Sequence, residues 1–162
     1  FMRGTPLMLQ LMALCFGPYY LFHMQLGTEW KFWACGIGFI LNYAAYFAEI
    51  YRSGIQSIPR GQYEAAEVLG YTRSQTFFKI VLPQVAKRIL PAMGNEIITL
   101  VKDTSLAFVL GIMEMFTQAK AIAASQVSML PYVIAAGIYW IINIAIEFIL
   151  SRVEKRMNYY HD

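Results

Sequence analysis

Apolar and polar positions alternate along this chain on the scale of whole helices rather than single turns. Four windows, Pro6 to Leu26, Lys31 to Tyr51, Pro91 to Leu110 and Leu130 to Leu150, are apolar over bilayer length, since a helix needs roughly 20 mostly apolar residues to cross the hydrocarbon. They predict an all-α membrane protein with about four transmembrane helices in a single domain over residues 1–162. Between the second and third windows runs a polar stretch, Arg60 to Pro83, which reads as a short helix around Glu64, Ala65 and Ala66. Pro59 suits its start and Gly70 the left-handed position after its end. Thr72 followed by Gln75 is a capping box for a second helix from about Arg73, which Pro83 interrupts. A polar, structured loop between spans is there to touch something.

Composition agrees with the pattern. With 58% hydrophobic and 14% charged residues, and a mean hydropathy of +0.46, the chain is too apolar for a soluble helical bundle. Its net charge of +3 does not point to nucleic acid, because the basic residues follow the spans. With the start of the chain cytoplasmic, Arg3, Arg52, Arg60, Arg73, Lys79, Lys87, Arg88, Arg152, Lys155 and Arg156 share one side. Lys31 and Lys120 take the other, and Lys102 stays within a span. The positive-inside bias therefore predicts that both chain ends and the loop at about 53–90 are cytoplasmic.

Within the spans, Thr5 is a candidate cap for a helix starting at Pro6, and Gly17-Pro18 would kink or end that helix before Tyr19. Trp30 and Trp33 suit an interfacial anchor, and Ala44 with Ala48 has the small-xxx-small spacing of close helix approach. Asn42, Tyr46 and Glu49 cover another face of the second window, where Glu49 fits either an ion pair with Arg52 or a ligand role. The third window carries Asn95, Glu96, Thr99, Lys102 and Asp103. At about 100° per residue they fall within an arc of about 120°, a polar face that in lipid turns to a cavity or a partner. Asn95 and Thr99 are candidates for a polar path, with Asn42, Tyr46 and Glu96 beside them. Lys102 and Asp103 fit equally an ion pair to a neighbouring helix or a transport role.

Residues 111–129 read as an outer segment with a short interfacial helix bearing Glu114, Gln118 and Lys120. In the last window Tyr139, Asn143 and Glu147 repeat the polar stripe at four-residue spacing. Cys15 and Cys35 lie within spans without metal-ligand spacing and suit apolar packing. His23 and His161 stand near element ends, and no metal site is built from this set. The sequence also lacks G-x-x-x-x-G-K, H-E-x-x-H, G-x-S-x-G and C-x-x-C patterns, so no hydrolytic centre is written here and any energy must come from another subunit. The competing class is a stand-alone channel or ion-coupled secondary carrier using the stripe of Glu96, Lys102 and Asp103. An intramembrane enzyme lacks its catalytic groups.

Glu64-Ala65-Ala66, three residues, Gly70, nine residues, then Ile80, Leu82 and Pro83 resembles the EAA loop of the membrane subunits of binding-protein-dependent ABC importers. RGTPL at Arg3 to Leu7, AAYFAEIYRSGIQSIPRGQ from Ala44 to Gln62 and KDTSL from Lys102 to Leu106 resemble the polar amino acid branch of that family. The resemblance implies a type I permease fold in a multi-pass protein of the bacterial cytoplasmic membrane. It implies that the helix from Gln62 to Gly70, with Tyr63, Glu64, Ala65 and Ala66, docks in a cytoplasmic ABC ATPase subunit that binds the ATP and Mg, leaving this chain without a cofactor. It further implies a second permease subunit, identical or different, and an extracytoplasmic amino acid-binding protein. Members of the family carry one more span before the RGTPL box, so the first family helix is expected to be missing from this stretch.

Overall fold

The computed structural model describes residues 2–157; the reading of His161 and of the end of the charged tail lies outside them. All regular elements among the described residues are helical. In order they are a 3-10 turn (Met2–Gly4), α1 (Leu7–Phe22), α2 (Glu29–Gln56), α3 (Arg60–Val68), α4 (Arg73–Thr76), a π-helical stretch (Phe77–Val81), α5 (Leu82–Asp103), a 3-10 stretch (Thr104–Leu110), α6 (Met115–Gln126) and α7 (Leu130–Met157). α2 packs against α1 on one side and α5 on the other, α5 packs against α7, and α6 lies along α7.

The four windows correspond to helices of unlike character. Among the described residues only Leu130–Arg156 is both long and apolar enough to cross a bilayer by length and composition, so the expected count of four spans is not confirmed; Leu7–Phe22 is apolar but shorter. α2 has 28 residues, about 42 Å at 1.5 Å per residue, which exceeds the hydrocarbon thickness of about 30 Å.

Several local expectations change. α1 begins at Leu7 with Pro6 at its N-cap position, while the Thr5 hydroxyl accepts from Gln10 Nε2 at 2.7 Å. Gly17-Pro18 does not end the helix: Pro18 removes one N–H, and the helix continues to Phe22. His23, in the left-handed region at φ 53, then closes it. Trp30 turns inward and donates its indole N–H to Cys15 O at 3.2 Å, as a partly buried indole needs an acceptor; Trp33 alone of the pair stays largely exposed. Ala44 and Ala48 are exposed, and the close helix approaches lie elsewhere. A Cβ on Gly38 would meet Leu11 Cδ2 at 2.6 Å, and one on Gly54 would clash with Ile89 Cγ2.

The third window is displaced. Helix runs from Arg73 through the π-helical stretch into α5, and Pro83 is accommodated at the first turn of α5 rather than breaking the chain there. A π turn just before proline is a recurrent way to absorb the missing N–H and ring bulk. α5 stops at Asp103 because the Thr104 hydroxyl donates to Val101 O at 2.6 Å and the Ser105 hydroxyl to Lys102 O at 2.8 Å. These hydroxyls compete with the regular ladder, and the chain tightens to 3-10 until Gly111 at φ 73.

Two apolar clusters hold the fold. Leu7, Leu11 and Cys15 from α1 meet Ala34, Cys35 and Tyr43 from α2 and Ala107 and Leu110 from the 3-10 stretch. The spacing of four along α1 makes these residues a single stripe. The second cluster, Ile58, Val81, Val85 and Ile89, sits at the root of the α3 loop. α7 instead turns Ile134, Ile138, Ile141 and Phe148 outward, a face suited to lipid rather than water.

Candidate functional site

The α3 loop is built by local chemistry. Pro59 precedes α3 at φ −60 and ψ 142, an extended entry that frees the chain from α2. At the other end the Gly70 N–H donates to Glu67 O at 2.9 Å and the Tyr71 N–H to Ala66 O at 3.0 Å, the paired bonds of a Schellman motif with glycine in the left-handed position. Gly70 has φ 75. The Gln75 N–H then donates to Thr72 Oγ1 at 3.3 Å while the Thr72 N–H donates to Gln75 Oε1 at 2.9 Å, the reciprocal capping box that starts α4.

α3 is thus a short helix with both ends fixed and little of its surface covered. Ala66 is its only buried residue. Gln62, Tyr63, Glu64 and Ala65 are exposed, and Val68 and Leu69 leave 89% and 73% of their surface open. Ala66 is a packing residue, and Gly70 is the stop of the helix. An exposed Val-Leu pair beside Glu64 and Glu67 gives an apolar tip with an acidic flank.

The polar face of α5 is divided by the packing. Glu96, Thr99 and Asp103 line a cavity of about 310 Å³ together with Asn42, Tyr43 and Tyr46 from α2 and Thr5, Pro6 and Leu7 from the start of the chain. Asn95 and Lys102 are exposed and absent from that lining. Three of the polar residues recur at i, i+3 and i+7 and so share one side of the helix. Asn95 precedes Glu96 by one position and points about 100° away.

Inside the cavity the polar groups are unequally engaged. Tyr43 Oη donates to Asp103 Oδ2 at 2.8 Å, so Asp103 is held by a hydroxyl and not by Lys102. The Thr99 hydroxyl donates to Asn95 O at 2.9 Å. Asn42 is buried and structural: its Nδ2 donates to Gln10 Oε1 at 3.0 Å and to Met2 O at 3.5 Å. Gln10 in turn donates to Met2 O and Thr5 O, which pins the turn that closes one side of the cavity. Glu96 makes no hydrogen bond or ion pair among the described residues. Outside the cavity Glu49 sits between Arg3 at 3.3 Å and Arg52 at 3.5 Å, and Arg3 also lies over the Tyr46 ring at 5.7 Å. A second hollow of about 380 Å³ at the turn from α1 to α2, between Tyr19, Trp30 and Lys31, receives none of the α5 stripe.

On α7 two of the three stripe residues are tied down, while Glu147 is exposed. Tyr139 Oη donates to Glu114 Oε2 at 3.4 Å, and Asn143 Nδ2 donates to Tyr139 O at 2.8 Å. Glu114 is chiefly the cap of α6, accepting from the backbone N–H groups of Phe116 and Thr117 at 2.6 Å each. Sequence reasoning missed Tyr43 and Gln10, and read Thr5 only as a helix cap rather than as part of the lining. Gln10, a lone amide in an apolar window, was the available signal.

The model of the family described as "binding-protein-dependent transport system inner membrane component" matches residues 1–159. The L-cystine transport system permease protein TcyB of Bacillus subtilis (strain 168) is 38% identical over 160 residues, covering 98% of this chain and 67% of that protein. The arginine transport system permease protein ArtQ of the same organism is 39% identical over 156 residues, 96% of this chain and 70% of the relative. A putative glutamine transport system permease protein GlnP of Rickettsia conorii is 35% identical over 156 residues with the same coverage. Among solved structures, an amino acid ABC transporter described with histidines superposes with a TM-score of 0.84 at 36% identity, over 96% of this chain and 71% of that one.

Proposed function

Since the chain belongs to the family of binding-protein-dependent transport system inner membrane components, we propose that it is the translocation subunit of an ATP-driven importer of polar amino acids. The observation that carries this reading is α3: a helix fixed at both ends and exposed over most of its length, with Glu64, Val68 and Leu69 outward, on a loop whose basic flanks support a cytoplasmic side. It is a ready docking element for an ABC ATPase, which would bind the ATP and Mg. Both ends of the chain lie on that same side. A second permease subunit completes the path, and an extracytoplasmic binding protein delivers the substrate.

The cavity between α2 and α5 is the part of the path this chain supplies. Thr99, Tyr46 and Glu96 offer hydroxyls and a carboxylate to the polar end of an amino acid, with Asp103 and Asn42 in the same lining. Relatives named for cystine, arginine and glutamine transport support an amino acid substrate. The test is uptake of labelled amino acids into proteoliposomes holding the permease with and without its ATPase. Uptake requires both proteins and ATP; flux through the permease alone would instead make it a channel or secondary carrier.

A further inference from the structure

We propose that Arg88 is a positioning residue for energy coupling: it fastens the root of the α3 loop to α5, so that a displacement of α3 reaches the cavity along α5. The inference rests on the reading of α3 as the docking helix. Arg88 Nη1 donates to Ser57 O at 2.5 Å and to Ser57 Oγ at 3.2 Å. Ser57 is the C-cap residue of α2, where carbonyls lack partners within the helix and a cation is favoured by the helix dipole. α3 begins just beyond it, at Arg60.

The surrounding contacts give the bond its direction. Ile58, next to Ser57, is buried among Val81, Val85 and Ile89, and Ile89 fills the notch left by Gly54. Gln84 Nε2 donates across to Gln62 Oε1 of α3 at 3.3 Å. Residues 84, 85, 88 and 89 recur at helical spacing and form one face of α5, continued by Val81 at the end of the π-helical stretch. All the links from the loop therefore converge on a single helix. The same helix carries Glu96, Thr99 and Asp103 to the cavity, with Thr99 about 17 Å from Arg88 along the axis at 1.5 Å per residue. Among these links the Arg88 bond, which is exposed to solvent, is the charge-assisted one; such bonds are stronger than neutral hydrogen bonds and more directional than apolar packing. Pro91 lies within α5 between Arg88 and Thr99 and removes one N–H, yet the helix runs unbroken from Leu82 to Asp103, so a displacement at Arg88 is passed along it.

The test uses the full-length permease with its ATPase and binding protein in proteoliposomes, reading amino acid uptake per ATP hydrolysed and assembly by co-purification. For Arg88→Ala, assembly and ATP hydrolysis persist while uptake per ATP falls about fivefold, a size in the range of coupling changes caused by single substitutions. Arg88→Lys recovers about half of the loss, because an ammonium is one donor in place of the guanidinium fork. Ser57→Ala adds nothing on the Arg88→Ala background. An unchanged ratio in Arg88→Ala, a lysine variant no better than alanine, or failure of both variants to assemble would overturn the proposal. Glu64→Lys is run in parallel: if it too leaves the ratio unchanged, the docking reading itself fails, whereas a fall in Glu64→Lys alone sinks only the role of Arg88.

Discussion

Tyr43 Oη donates to Asp103 Oδ2 at 2.8 Å, which ties the middle of α2 to the last residue of α5 at the edge of the cavity. The ring of Tyr43 is buried and packs between Phe39 and Tyr46, so Tyr43→Phe removes the hydroxyl and little else. Loss of a hydrogen bond to a charged acceptor costs about 1.5–3 kcal/mol. The variant unfolds at lower temperature in detergent and takes up amino acid more slowly, with its ATPase still bound. Unchanged melting and uptake would show that the bond is dispensable.

Gly70 and Gly61 make a matched pair in one loop. Gly70 sits at φ 75 with open space around it, and Gly61 is helical with open space around it. Gly70→Ala therefore costs about 1–2 kcal/mol of backbone strain, while Gly61→Ala stabilises α3 by about 0.5–1 kcal/mol. Limited proteolysis of the loop reads both, and the two substitutions shift the cleavage rate in opposite directions. Equal rates would contradict the closure of α3 by a left-handed glycine.

Thr99→Leu replaces a cavity-lining hydroxyl with a larger apolar group. Uptake falls about tenfold, the equivalent of about 1.4 kcal/mol, while co-purification with the ATPase is unchanged. Asn95→Leu, one turn away and outside the lining, has a smaller effect. Equal losses in the two variants would argue against the cavity as the path.

What the sequence made legible was local. The stop at Gly70 and the Thr72–Gln75 box depend on residues within a few positions of each other, and both were readable from spacing. The family of the chain was readable as well, from the EAA spacing and the boxes around it. The end of α5 was not: Thr104 and Ser105 are weak signals whose back-bonding to Val101 and Lys102 emerges only in the folded chain. The polar arc on the third window was real, but an arc does not say which edge faces a neighbour. Packing against α2 chose Glu96, Thr99 and Asp103 and left Asn95 and Lys102 outside. Arg88 and Ser57 lie 31 positions apart, beyond any reading by periodicity.

The central claim is that α3 joins this permease to an ATPase. Its most direct test is Glu64→Lys in the reconstituted transporter, with amino acid uptake and ATP hydrolysis measured together. Reversing the charge on the exposed face of α3 leaves membrane insertion intact and lowers uptake per ATP by about tenfold, the equivalent of about 1.4 kcal/mol. Normal coupled uptake by that variant would contradict the account.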